Sequence, residues 1–120
     1  MNSKILIVED EGDLREVLSE LFKENNFTVF QAENGRQGMA ILESIAVDCV
    51  LTDVQMPVMN GMDFLKASKT KFGDKPPVFI MTAGSVFSKT QFYAAGADGY
   101  FDKPINVEAM IHTFRSLTTK

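Results

Sequence analysis

Acidic side chains follow two of the apolar runs in this sequence. Asp53 comes directly after Val50-Leu51-Thr52, and Glu9-Asp10-Glu11 follows Ile5–Val8. Each run is typical of a buried strand, so Asp53 would stand at a strand end and face solvent, with the other acids beside it. Carboxylates packed so closely repel one another and are costly to keep ionised without a counter-charge. The spacing therefore predicts a site that attracts a cation.

A divalent cation held by these acids would support phosphoryl chemistry. Mg²⁺ prefers oxygen ligands and is commonly held by one or two carboxylates together with phosphate oxygens. Asp10 and Asp53 are the candidate carboxylate ligands. The backbone carbonyl of Gln55 is a candidate third ligand, and Glu9 would act through water. Mn²⁺ is the alternative ion.

Two further side chains complete the predicted site. Lys103 supplies a fixed positive charge and Thr82 a hydroxyl donor, each after a later apolar run. An aspartate can carry a phosphoryl group covalently, and Asp53 is the candidate nucleophile because it stands alone at its strand end. Lys103 and the metal would neutralise charge on the transferring group. A purely structural interpretation is also open, with Asp53 forming a turn and the acids decorating a helix N-terminus.

Short apolar runs alternate with helical patterns five times along the chain. The predicted strands span residues 4–8, 28–32, 48–52, 78–81 and 99–101, the second being polar enough for a sheet edge. The predicted helices cover about 14–22, 36–45, 62–72 and 88–95, with a last one from about 106. This alternation predicts an α/β fold, a parallel sheet with helices on both faces. Ligands collect at the carboxyl ends of such strands, where the candidate residues lie.

Composition excludes several classes of protein. The 120 residues suit one domain, and 45% hydrophobic with 23% charged residues is typical of a soluble globular protein. A net charge of −4 argues against direct nucleic-acid binding, and no apolar run approaches membrane-spanning length. No signal peptide is recognisable, and the single cysteine, Cys49, fits a reducing cytoplasm.

Five short motifs occur in order along the chain. They are Ile-Leu-Ile-Val-Glu-Asp-Glu at 5–11, Asp53 with Met56-Pro57, Asn60-Gly61-Met62, Met81-Thr82-Ala83, and a group from Gly96-Ala97 through Tyr100 to Lys103-Pro104. In this combination they resemble the receiver domain of two-component response regulators. The resemblance implies a flavodoxin-like, doubly wound sheet of five parallel strands in order 2-1-3-4-5, with five helices on its two faces.

The resemblance also implies a mechanism. Asp53 would accept a phosphoryl group from a phosphohistidine on a sensor histidine kinase or a histidine phosphotransfer protein. Mg²⁺ would be held by Asp10, Asp53 and the Gln55 carbonyl, with Glu9 in support. Lys103 would contact the phosphoryl group, and the peptide bond that follows Lys103 is often cis in the family. The protein would be a signalling switch, not an enzyme, catalysing only its own phosphorylation and dephosphorylation.

A conformational switch is implied beside this site. Thr82 would move toward the phosphate and Tyr100 would turn inward with it, although Tyr100 also fits a static, half-buried aromatic. The shift would remodel the surface formed by the fourth helix, the fifth strand and the fifth helix, where an effector protein or a second copy of the chain would bind. The aromatic residues expected on this surface are Phe87, Phe92, Tyr93, Tyr100 and Phe101.

Three other functions remain open. A small Mg²⁺-dependent phosphatase with an aspartyl-phosphate intermediate would share Asp53 and Lys103, but it would need a general acid where Gln55 stands. A flavodoxin-like cofactor carrier would need a hydroxyl- or glycine-rich phosphate loop where this chain has acids. A receiver fold could also serve as an unphosphorylated binding scaffold.

The resemblance covers residues 1–120 as a single receiver domain, with no output domain in the chain. The chain is then either a stand-alone receiver or a fragment of a longer regulator or hybrid kinase. The absence of a trailing linker favours the stand-alone form.

Overall fold

The apolar runs form one parallel sheet in the computed structural model, which describes residues 2–118. Its strands are β1 (Ser3–Val8), β2 (Phe27–Ala32), β3 (Cys49–Asp53), β4 (Val78–Thr82) and β5 (Gly99–Asp102). Their order is β2-β1-β3-β4-β5, which confirms the predicted order and places β2 at an edge. The third strand ends one residue later than predicted, so Asp53 is its last residue.

Helices fill the connections between the strands. Over residues 2–118 they are α1 (Gly12–Glu24), α2 (Gly35–Ser44), α3 (Gly61–Phe72), α4 (Lys89–Ala94) and α5 (Val107–Thr118). Side-chain caps define several starts: the Asn60 side chain accepts a hydrogen bond from the backbone N–H of Asp63, and Ser88 and Gln91 form a reciprocal capping box. None of these described helices is long and apolar enough to cross a membrane.

Alternation along the strands divides the core between the two faces of the sheet. Leu6 packs on the side covered by α2, α3 and α4, where Phe64 and Phe92 are fully buried. Its neighbour Ile7 packs on the side covered by α1 and α5, against a cluster that includes Phe22. Because both faces are covered, polar chemistry is left to the ends of the strands.

The register of the parallel strands brings the candidate residues to one edge of the sheet. Val8 and Thr52 are partners in adjacent strands, so Glu9 emerges beside Asp53. The next strand, β4, pairs with β3 up to Asp53 and ends at Thr82. The carboxyl ends of β1, β3 and β4 therefore present their polar side chains to a common space.

Candidate functional site

Three carboxylates meet at this edge. One oxygen from each of Glu9, Asp10 and Asp53 lies within 4.8 Å of the others. Asp10 is exposed, whereas Glu9 is fully buried and Asp53 is only 7% exposed. The prediction that Asp53 faces solvent is therefore wrong. Asp53 is the last residue of a central strand whose two faces are covered, so little of its side chain reaches solvent. The space between the three carboxylates is called the acidic pocket below.

Lys103 bridges the two buried acids of this pocket. Its Nζ lies 3.2 Å from Asp53 Oδ2 and 3.4 Å from Glu9 Oε1. Its backbone N–H donates to the carbonyl oxygen of Thr82 at 2.8 Å, which fixes the chain as it leaves β5. The peptide bond to Pro104 is cis, as the resemblance implies. Burial opposes the lysine charge, but the negative charges of Asp53 and Glu9 outweigh it and raise the pKa of Lys103.

Glu9 is held by the backbone as well as by Lys103. Its Oε2 accepts a hydrogen bond from the N–H of Glu11 at 3.0 Å. Burial raises the pKa of Glu9 to about 7 from its usual 4.5, and the charge of Asp53 acts in the same direction. The Glu11 hydrogen bond and Lys103 offset only part of this effect. The Glu9 carboxyl therefore holds its proton far more tightly than an ordinary glutamate does.

Asp53 is oriented by the loop that follows it. Its Oδ1 accepts a hydrogen bond from the N–H of Val54 at 2.7 Å, which leaves Oδ2 facing Lys103. Gly61 packs against the same backbone, because its N–H donates to the Val54 carbonyl at 2.8 Å. A Cβ at position 61 would lie 2.3 Å from the carbonyl oxygen of Asp53, so only glycine allows this close approach.

Thr82 is engaged in its own turn. Its hydroxyl donates to the carbonyl oxygen of Gly84 at 2.9 Å and accepts from the N–H of Gly84 at 3.1 Å. The side-chain amide of Gln55 donates to the same carbonyl at 3.1 Å. In this conformation the Thr82 hydroxyl proton is used within the β4–α4 turn. The Gln55 hydrogen bond connects that turn to the loop after Asp53.

Tyr100 lies half-buried against α4. Its ring centroid is 5.8 Å from that of Phe92, and the Nζ of Lys89 lies 5.7 Å from the Tyr100 centroid. This distance is within the range of a cation–π contact. Burial, together with the charge of Asp102, raises the pKa of the Tyr100 hydroxyl.

The predicted aromatic surface is wrong at Phe92, which is fully buried. The error arises because α4 has only six residues, too few for periodicity to identify its buried face. Phe101 is partly buried and stacks on Phe79, on the side of the sheet that α5 covers, whereas Tyr100 lies on the α4 side. Tyr93 is 44% exposed and remains available to a partner.

The chemistry of the donors fits a hard divalent cation. Within the described part of the chain, Lys103 is paired with two of the three carboxylates, so negative charge exceeds positive charge in the pocket. All three side chains offer carboxylate oxygens, the ligands that Mg²⁺ prefers over nitrogen or sulfur. The pKa of Glu9 is raised mainly by burial, and the nearby charge of Asp53 raises it further, so a cation in this pocket would favour the ionised form of Glu9.

A five-stranded parallel sheet in the order β2-β1-β3-β4-β5, with helices on both faces, places the chain in the flavodoxin-like class of α/β folds. The model of the response regulator receiver domain matches residues 5–115, and the chain belongs to this family. It is 37% identical over 109 residues to sporulation initiation phosphotransferase F of Bacillus subtilis, covering 90% of this chain and 87% of that protein. It is 36% identical over 116 residues to the transcriptional regulatory protein CpxR of Klebsiella pneumoniae, covering 96% of this chain but 49% of that protein. The chain thus spans about half the length of that regulator.

Solved structures agree with this family. The chemotaxis response regulator CheY4 of Vibrio cholerae has a TM-score of 0.88 and 29% identity, with coverage of 98% of this chain and 99% of that one. The response regulator TrrA of Thermotoga maritima, in complex with Mg(2+)-BeF, has a TM-score of 0.86 and 29% identity, with coverage of 96% and 98%. Receiver domains of two-component systems are phosphorylated on an aspartate, bind Mg²⁺ at an acidic pocket, and interact with histidine kinases and effectors.

Proposed function

We propose that this chain is a cytoplasmic receiver whose Asp53 accepts a phosphoryl group from a phosphohistidine on a sensor histidine kinase or a phosphotransfer protein. The observation that carries the proposal is Lys103 bridging Asp53 and Glu9 inside the acidic pocket. Residues 1–120 would act together as one receiver domain and as a switch, not as an enzyme with a separate substrate.

Asp53, Lys103 and the backbone N–H of Val54 would have separate roles in the phosphoryl transfer. An oxygen of Asp53 forms the new O–P bond as the P–N bond of the phosphohistidine breaks, and the released imidazole nitrogen keeps the electron pair and takes a proton from solvent. The ammonium of Lys103, already 3.2 Å from Asp53 Oδ2, lies where it can neutralise the phosphoryl oxygens. The Val54 N–H holds the other oxygen of Asp53 and so fixes the direction of attack.

The same pocket would hold Mg²⁺, or Mn²⁺ in its place. Asp10 and Asp53 would be the carboxylate ligands, the Gln55 carbonyl a third ligand, and Glu9 would act through water. When bound, the cation supplies positive charge to the oxygens of the phosphoryl group and of Asp53. The burial of Glu9 and its hydrogen bond from Glu11 support an indirect role for that carboxylate.

Thr82 and Tyr100 would be the residues that change conformation on phosphorylation. Thr82 can donate to a phosphoryl oxygen only if its hydroxyl proton turns away from the Gly84 carbonyl, which removes one hydrogen bond that holds the β4–α4 turn. Tyr100 would then turn inward from its place beside α4. The resulting change in the α4–β5–α5 surface, including exposed Tyr93, would bind an effector protein or a second copy of the chain, without direct contact with nucleic acid or membrane.

An acetyl phosphate assay tests this proposal. The protein is incubated with Mg²⁺ and acetyl phosphate, and intact mass and hydroxylamine sensitivity are measured. We expect one labile acyl phosphate that is absent in Asp53→Ala or with a chelator and present in the control Asp13→Ala, which removes an exposed acid of α1. A label that survives Asp53→Ala would contradict the assignment. Rapid turnover of unrelated phosphate esters would indicate a phosphatase.

A further inference from the structure

A half-buried arginine outside the acidic pocket, Arg15, donates hydrogen bonds to the backbone and side chains at the strand ends beside that pocket. Arg15 Nη1 donates to the carbonyl oxygen of Glu9 at 2.8 Å. Its Nε donates to Oε1 of Gln31, on the edge strand β2, at 3.1 Å. The guanidinium therefore spans the carboxyl ends of β1 and β2 from a position on α1.

Helix geometry explains how Arg15 reaches this place. It lies in the first turn of α1, where its N–H donates to the Glu11 carbonyl at 3.0 Å. Helical side chains point back toward the N-terminus, so a long side chain in the first turn extends over the preceding loop. Both acceptors of its side chain, a carbonyl and an amide oxygen, are neutral, so the contact is geometric and not an ion pair.

The Glu9 carbonyl, to which Arg15 donates, belongs to the same peptide unit as the backbone nitrogen of Asp10. A peptide unit is planar, so fixing the Glu9 oxygen fixes the rotation of the plane that contains the nitrogen and Cα of Asp10. Asp10 itself is exposed, its carboxyl forms a side-chain hydrogen bond with that of Glu9, and the Glu11 N–H donates to Glu9 Oε2. The orientation of the Asp10 carboxylate toward Glu9 and Asp53 thus depends on a peptide plane that Arg15 clamps.

We propose that Arg15 is a positioning residue for the cation site, setting the Asp10 carboxylate through the Glu9 carbonyl. The inference rests on the proposed Mg²⁺-binding function. Residues that orient metal ligands typically contribute 10- to 100-fold to metal affinity. We expect Arg15→Met to weaken Mg²⁺ binding by about tenfold.

Mg²⁺ titration followed by the NMR shift of the Asp10 amide measures this effect. The matched control is Lys23→Met, which removes the same charge from an exposed position on α1. Arg15→Met should also need about tenfold more Mg²⁺ for half-maximal phosphorylation by acetyl phosphate, and should regain the wild-type rate at saturating Mg²⁺. A role in stability alone would not move this concentration while the protein stays folded.

The outcomes separate this inference from the function on which it rests. If wild-type protein does not bind Mg²⁺, the proposed function fails. If wild type binds and Arg15→Met matches Lys23→Met within about twofold, only the role of Arg15 is overturned. Should Arg15→Met not fold, Arg15→Lys decides: it keeps the charge but lacks the planar fork that reaches Gln31. A loss of at least about threefold then supports the inference, and wild-type affinity overturns it.

Discussion

Replacement of Glu9 by glutamine should stabilise the metal-free protein at neutral pH. Glu9 is fully buried, and its pKa is raised from 4.5 to about 7, mainly by burial. Each pH unit between the two pKa values is worth about 1.4 kcal/mol. Ionised Glu9 therefore costs the folded protein on the order of 3 kcal/mol at pH 8, and a neutral amide of the same shape removes that cost.

The sign of the pH dependence follows from proton binding. Between pH 4.5 and about 7 the unfolded chain has lost the Glu9 proton while the folded protein keeps it, so stability falls as pH rises through this window. Below pH 4.5 both states are protonated, and Glu9→Gln should have little effect. Its advantage should grow through the window to on the order of 3 kcal/mol at pH 8.

Urea unfolding of both proteins in chelator, at pH 4.5, 6 and 8, measures the difference in the free energy of unfolding. The control Glu16→Gln makes the same substitution at an exposed position of α1, where no burial of a charge is relieved. Mg²⁺ should shrink the advantage of Glu9→Gln, because the cation supplies the counter-charge that the ionised pocket lacks. An advantage that stays flat from pH 4.5 to pH 8 would refute the argument that burial holds the Glu9 proton.

Two further substitutions test the packing around the site. Gly61→Ala places a Cβ 2.3 Å from the Asp53 carbonyl oxygen, so it should lower the free energy of unfolding by about 2–4 kcal/mol, whereas Gly12→Ala, with no contact nearer than 3.8 Å, should change it by less than about 0.5. Equal urea midpoints for the two variants would contradict the close approach. Ser68→Ala should stabilise by about 1 kcal/mol, because this buried hydroxyl has no hydrogen-bond partner within residues 2–118. Thermal unfolding of Ser68→Ala measures this effect. The control Ser19→Ala should destabilise the protein, because it removes a buried hydroxyl that donates to a backbone carbonyl at 2.7 Å.

Strand and helix positions could be predicted well because short continuous apolar runs mark the strands, and apolar residues repeating every three to four positions mark the helices. A continuous run such as Ile5–Val8 fits a strand covered on both faces, and such strands make up the centre of the sheet. The order of the strands came from the family resemblance, because periodicity within a strand carries no information about its neighbours. β3 ends one residue later than predicted, at Asp53, and this residue is buried because helices cover both faces of the strand.

The acidic pocket was predictable because its members are strand-end residues, but their burial was not. Chain order alone does not show that Glu9 is enclosed while its neighbour Asp10 is exposed. Arg15 was missed because it carries no motif of its own, although its place in the first turn after a strand-end acid was the available signal. Phe92 was wrongly assigned to the exposed face of α4 because a six-residue helix does not complete two turns.

The structural response to the proposed phosphorylation should be confined to α4 and β5, the elements beside the pocket that are shortest and least buried. β1 and β3 are fully buried where they meet the acids, whereas β5 has four residues, none of them fully buried, and α4 has only six. Lys103 links the two regions, because it directly follows β5 in the chain and its Nζ contacts Asp53. Local rearrangement is drawn from elements with few buried contacts. A change of charge at Asp53 should therefore displace α4 and β5, which carry Tyr93 and Tyr100, and leave the central strands in place.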